Sequence, residues 1–205
     1  MFYKKIFIGA ALLCASGAQA ATVYADNFDT DTLALNALSF NGGWSVSGGT
    51  VDVIGAGGIF DLAPGNGRYI DLDGSTNNAG IFANAVSVVS GQTYTLSFDL
   101  AGNHRAAGPD TVEVNFGSVS QVFTRNAGDA FTTYTLSYTA TSTGKAGFSF
   151  IDSGNDNQGA LLDRVVVAST AAPVPEPETY GMLLGGLALM GVVAGRRQRK
   201  QGDNA

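Results

Sequence analysis

Tyr94-Thr-Leu-Ser-Phe-Asp-Leu100 is the stretch on which the fold turns. Tyr94, Leu96, Phe98 and Leu100 fall on one side of an extended chain, and Thr95, Ser97 and Asp99 on the other. That two-residue period belongs to a strand with one buried face and one wet face. The alternation returns downstream. Thr111–Phe116 groups Val112, Val114 and Phe116, and Phe131–Thr139 sets Tyr134, Leu136 and Tyr138 against Thr133, Thr135 and Ser137. Phe148–Phe150 and Leu161–Val167 complete the series, with shorter candidates at Val51–Ile54, Arg68–Leu72 and Ile81–Val89. Clusters such as Asn41-Gly-Gly43, Pro64-Gly-Asn-Gly67 and Ser153–Gly159 punctuate these runs, and their residue types adopt positive φ at little cost. Helix-period patterning is weak here, and no nonapeptide repeat of a calcium-binding β-roll occurs. The prediction is an all-β fold, an antiparallel jelly-roll β-sandwich over residues 21–167.

Both ends of the chain read as processing segments. Lys4 and Lys5, the apolar run Ile6–Ala18 and the small-residue site Ala18-Gln19-Ala20 form a signal peptide, 1–20, cut after Ala20. The run is too short to span a bilayer core of ~30 Å. Cys14, the chain's single cysteine, lies inside it behind Leu13, where a lipoprotein signal needs a small residue. The exported chain therefore has no disulfide, no cysteine nucleophile and no thiolate metal site. At the other end, a linker (168–174) leads to Pro175, Glu176 and Pro177, the apolar segment Tyr180–Gly195, the basic cluster Arg196, Arg197, Arg199 and Lys200, and a tail, 201–205. Basic residues at both ends place both on the cytoplasmic side and the β domain outside. The apolar segment is read as a transmembrane helix whose basic cluster stops transfer, although it reaches only roughly 24 Å.

The stretch 21–174 carries thirteen Asp and one Glu against four Arg and one Lys, a net charge of −9, whereas the whole chain stands at −6. So acidic a domain repels phosphate backbones, which excludes nucleic acid as a partner.

Pro175-Glu176-Pro177, a short glycine-rich apolar helix and a terminal Arg/Lys cluster resemble the PEP-CTERM sorting signal. The resemblance implies processing by exosortase, a membrane-embedded cysteine protease. The precursor would sit in the inner membrane through the C-terminal helix and then pass to the cell surface or extracellular matrix. The middle of the chain resembles the galactose-binding-like jelly-roll modules, especially the choice-of-anchor C domains. The resemblance rests on Asn27-Phe-Asp29, Gly43-Trp-Ser-Val-Ser-Gly-Gly-Thr-Val-Asp-Val-Ile-Gly55, Tyr69-Ile-Asp-Leu-Asp-Gly74, Leu100-Ala-Gly-Asn103 and Leu162-Asp163. Asp29 stands where such modules usually have Glu.

Asp163 shares strand parity with Leu161, Val165 and Val167, which points it toward the core, where an unpaired carboxylate is costly. Related jelly rolls hold a structural Ca²⁺ between the first and last strands, which implies a site formed by Asp26, Asn27, Asp29 and Asp163. The alternative is a carboxylate satisfied by backbone N–H groups or by Arg164. Trp44, the single tryptophan, is a candidate sugar-stacking platform, although a lone Trp in a sandwich is more often core. The loop Asn103-His104-Arg105 offers polar ligand contacts or is a solvated loop tip. No Gly-x-Ser-x-Gly elbow, second histidine or placed carboxylate pair supports catalysis. The expected function is a non-catalytic, carbohydrate-binding surface or matrix protein acting on cell-surface or extracellular polysaccharide. The alternatives are a structural surface protein without glycan binding and, third, a hydrolase.

Overall fold

The computed structural model describes residues 20–105, 108–154, 156–170 and 181–190. The segment before Ala20 expected to be a signal peptide, Pro175–Pro177 and Arg196–Lys200 lie outside the described residues. Twelve strands are described: β1 (Ala20–Asp26), β2 (Ala34–Ala37), β3 (Ser45–Ser47), β4 (Val51–Gly55), β5 (Arg68–Asp71), β6 (Ile81–Val88), β7 (Thr93–Ala101), β8 (Asp110–Phe116), β9 (Val119–Arg125), β10 (Thr132–Thr139), β11 (Gly144–Asp152) and β12 (Leu161–Thr170). One sheet has the order β10-β7-β12-β5-β4-β2, with β1 also paired to β12; the other runs β3-β6-β11-β8-β9. Every strand ladder is antiparallel. The sandwich read from alternation is the observed fold, and β1, β2, β3 and β9 are additions to it.

The inner faces meet as the alternation requires. Tyr134, Leu136 and Tyr138 lie opposite Phe98, Leu96 and Tyr94 in the β10–β7 ladder, and all six pack in or against the main core with Phe82, Phe116, Phe148 and Phe150. Trp44 is part of this core, its ring stacked on Phe82 at 4.1 Å between centroids and edge-on to Phe148 at 5.3 Å. Its indole N–H donates to Asp26 Oδ2 at 3.0 Å, which removes the cost of burying a donor. Trp44 is only 6% exposed, so of its two readings the core residue is the one observed and the stacking platform is not.

One expectation about facing is reversed. Leu162, Val165 and Val167 point into the main core, while Leu161 belongs to a second apolar cluster with Ile54, Ala63, Tyr69 and Ala101. The register of β12 against β7 shifts between Asp163 and Val166, and Arg164 has φ 46°. A bulge of this kind inserts one residue and inverts the parity beyond it. Asp163 therefore lies opposite Asp99 on the outer face of the seven-stranded sheet, not on the inner face with Val165 and Val167.

A helix, α1, occupies 181–190, and its Met182, Leu183, Leu184, Leu187, Leu189 and Met190 are exposed. No helix among the described residues is long and apolar enough to cross a membrane, and the segment 180–195 extends past them on both sides.

Phe82 is fully buried and carries the Trp44 stack. Phe82→Ala is expected to destabilise the domain by about 3–5 kcal/mol through lost burial and a residual cavity. Urea unfolding followed by Trp44 fluorescence measures it, and a loss under about 1 kcal/mol would contradict this packing.

Candidate functional site

The β4–β5 loop (56–67) folds over the outer face of the seven-stranded sheet. Its anchor is Tyr69, whose hydroxyl accepts from Ala63 N at 2.8 Å and donates to Asp61 Oδ1 at 3.1 Å. Phe131 meets the Tyr69 ring edge-on at 5.7 Å, which brings the β9–β10 loop (126–131) alongside. The β7–β8 loop (102–109) is tied to the same place. Gly102 N donates to Asp129 O at 2.9 Å and His104 N to Ala127 O at 2.8 Å, with His104 at φ 52°.

Between these three loops and β12 lies an open cleft of about 430 Å³, lined by Pro64, Asn66, His104, Phe131 and Arg164 among others. Arg164 reaches it because of the bulge. Its Nε donates to Asp99 Oδ2 at 2.5 Å, and Thr133 donates to Asp99 Oδ1 at 2.5 Å. The exposed remainder of the guanidinium faces solvent beside an aromatic ring, an imidazole and an amide. That mixture of one flat apolar surface and several hydrogen-bonding groups suits a polar ligand with an apolar face.

Beneath it, burial pushes Asp163 up to about 6, against the pull of the Arg164 N–H and guanidinium. Asp163 Oδ1 accepts from Arg164 N at 2.6 Å, and its Oδ2 lies 3.9 Å from Arg164 Nε. Arg164 and its backbone amide thus serve this carboxylate.

The residues singled out in the sequence separate. Asn103 is buried and structural: its Oδ1 accepts from Arg105 N at 2.7 Å, and its Nδ2 donates to Asp110 Oδ2 at 2.9 Å. His104 lines the cleft. Arg105 turns away to pair with Asp71. Asp26 is engaged by Phe28 N, Tyr24 and Trp44, while Asn27 donates to Asp29 Oδ2 and Arg68 N to Asp29 Oδ1. Among the described residues no group of three or more His, Cys, Asp or Glu side chains is placed to hold a metal ion. The sorting residues Pro175, Glu176 and Pro177 and the basic cluster lie outside the described residues. Asn66, Phe131 and Arg164 were not read as ligand residues. Phe131 shares the parity of Thr133 and Thr135 on the wet face of its strand, and only the bulge explains Arg164.

A model of the family described as protein of unknown function (DUF642) matches residues 24–168, and the PEP-CTERM protein-sorting motif matches residues 173–200. No curated protein matches the sequence. Among solved structures, the CBM22-1 xylan-binding domain of Paenibacillus barcinonensis Xyn10C is 14% identical, with a TM-score of 0.50 over 78% of this chain and 99% of that one. The CBM22-1–CBM22-2 tandem of the same protein is 17% identical, with a TM-score of 0.48 over 80% of this chain and 50% of that one. The CBM22-1–GH10 modules of Clostridium thermocellum xylanase 10B, solved with xylohexaose, are 13% identical, with a TM-score of 0.47 over 76% of this chain. The present chain covers 30% of that xylanase chain. At such identities the likeness to the first of these shows a shared fold.

The cleft depends on close approach at Gly102, where an added Cβ would overlap the backbone oxygen of Asn126 and meet that of Ala127 at 2.7 Å. Gly102→Ala is expected to cost about 1–3 kcal/mol, because backbone cannot give way as a side chain can. Thermal unfolding of the variant measures this, and an unchanged midpoint would mean that the two loops are not held together.

Proposed function

The chain belongs to the DUF642 family, and from that premise we propose that it is an exported, exosortase-sorted, non-catalytic protein that binds polysaccharide at the cell surface or in the extracellular matrix. The observation that carries the reading is the cleft of Asn66, His104, Phe131 and Arg164. A sugar ring has an apolar C–H face that packs on an aromatic ring such as Phe131, and hydroxyls that pair with amide, imidazole and guanidinium groups. The shared fold with a domain described as xylan-binding supports the same reading. Asp99 has one oxygen on Thr133 and the other on Arg164, which makes it a positioning group for Arg164 rather than an acid or base.

Sorting follows from the tail. The PEP-CTERM motif matched over residues 173–200 places Pro175-Glu176-Pro177 ahead of the apolar stretch as the handle for the protease. Exosortase cuts near this motif, and the inner-membrane precursor becomes the surface form.

Two measurements test these readings. Affinity electrophoresis of the domain in neutral plant and bacterial polysaccharides should show retardation, and Phe131→Ala should weaken it by about tenfold or more, as loss of a central aromatic contact does. No retardation in any glycan would favour the structural alternative. Separately, replacing Pro175, Glu176 and Pro177 by Ala should leave export intact and hold the uncut chain in the inner membrane. Intact-mass analysis of wild-type surface material should find no Arg196–Lys200, and a species that still carries them would identify an ordinary anchor.

A further inference from the structure

Away from the cleft, one end of the sandwich concentrates buried acid. Asp71 and Asp73 leave β5, Asp110 opens β8 and Asp152 closes β11, with exposures of 1%, 0%, 6% and 4%. They come from both sheets and meet across the end of the core. An added Cβ at Gly154 would touch Asp73 Oδ2 at 2.9 Å and Asp152 Oδ1 at 3.1 Å, so these two carboxyls flank one point.

The charges facing them come from every neighbouring element. Asp52 on β4 lies opposite Asp71 in the ladder, and Asp156 in the β11–β12 loop acts on Asp73, Asp110 and Asp152. Arg105 pairs with Asp71. Arg125 lies opposite Asp110 in the β8–β9 ladder but donates to Tyr134 and Ala130 O instead. Among the described residues Arg105 is therefore the one cation that forms an ion pair with the four.

The side-chain amide of Asn103 donates to Asp110, and backbone amides provide the remaining partners. Asp152 accepts from Gly154 N at 2.7 Å and Ala160 N at 2.9 Å. Asp73 Oδ2 accepts from Asp156 N at 2.9 Å and Asn157 N at 3.1 Å. Among the described residues no hydrogen-bond partner reaches the buried Asp73 Oδ1. No three of these side chains converge as a metal cage. A fully ionised set would bury four negative charges against one positive, and desolvation makes that state unfavourable.

We propose that the four carboxylates form a proton-operated clamp that joins β5, β8 and β11 across the two sheets while it holds protons and loosens as they leave. Burial pushes Asp110 up to about 7, helped by Asp152, and Asp152 up to about 6. It raises Asp73 too, and raises Asp71 against the pull of Arg105. Unfolded aspartates titrate near about 4, so the native state holds the extra protons. The stabilisation is complete below about pH 4 and is lost as the pH rises through about 6 to 8. Asn103 donates to Asp110 and Arg105 pairs with Asp71, bonds that favour the ionised carboxyls, so the loop that carries His104 stays tied as the protons leave and the loosening falls on the contact between the two sheets.

The test uses the full chain in detergent. Each excess native proton raises the unfolding constant about tenfold per pH unit, so denaturant melts should show a rise of at least about tenfold between pH 6 and pH 8. In the double variant Asp110→Asn, Asp152→Asn that rise should shrink by about tenfold, with Asp71 and Asp73 supplying what remains. Because that variant can fail to fold, the wild type provides an independent reading. The side-chain carboxyl carbons of Asp110 and Asp152 should titrate in carbon-13 NMR well above pH 5. Carboxyls that titrate near about 4, or an unfolding constant flat across that range, would overturn the proposal. So would millimolar calcium at pH 8 that restores the stability seen at pH 6, since the cluster would then be a cation site.

Discussion

Carboxylates in the domain outnumber its Lys and Arg residues fourteen to five, and the architecture follows from satisfying them. A buried carboxylate needs hydrogen-bond donors, and side-chain cations are too few to provide them. Backbone amides of the turns do so. Asp26 takes Phe28 N, Asp31 takes Asn41 N, and Asp52 takes Asn36 N and Ser75 N. Asp71 takes Gly159 N, and Asp73 takes Asp156 N and Asn157 N. These last bonds link segments more than eighty residues apart in sequence. In a domain without thiols, aspartate-to-amide bonds hold loops in place where other small exported domains use disulfides. The wealth of Gly and Asn in the turns has the same cause, since the N–H groups must turn inward toward a side chain.

The second determinant is the bulge at Arg164. Strict alternation would send Asp163 into the aromatic core, where nothing basic waits for it. The extra residue sends Leu162 and Val165 inward and leaves Asp163 and Arg164 on the outer face beside Asp99. The positive φ of Arg164 is a local cost, offset by the ion pair with Asp99 and the amide bond to Asp163. One backbone irregularity thus removes a charge from the core and places a guanidinium on the surface.

The same irregularity marks where sequence reading ends. Alternation at Tyr94–Leu100 and Thr132–Thr139 identifies strands because both faces are regular and the inner one is aromatic. β9 escapes it because Val122 is exposed and Arg125 takes a buried position on an edge strand. β1 is mostly exposed, so its composition carries little face signal. The cleft was hidden for another reason. Asn66, Phe131 and Arg164 lie far apart in the chain, and only the register and the loop-to-loop bonds bring them together. His104 could be found, because a lone histidine in a polar loop is conspicuous, whereas its neighbours Asn103 and Arg105 serve the acidic end instead.

Electrostatics then narrows what the cleft can hold. A domain of net charge −9 repels polyanions at distances beyond contact, although salt screens this over roughly 8 Å at physiological strength. Arg164 could offset that repulsion locally, but Asp99 neutralises it at 2.5 Å and Asp163 lies behind it. What remains in the cleft are directional donors and an aromatic face without net positive charge. On the proposed reading of the cleft as a glycan site, such a surface would discriminate by hydroxyl geometry rather than by charge, and the physical balance favours an uncharged ligand over an acidic one.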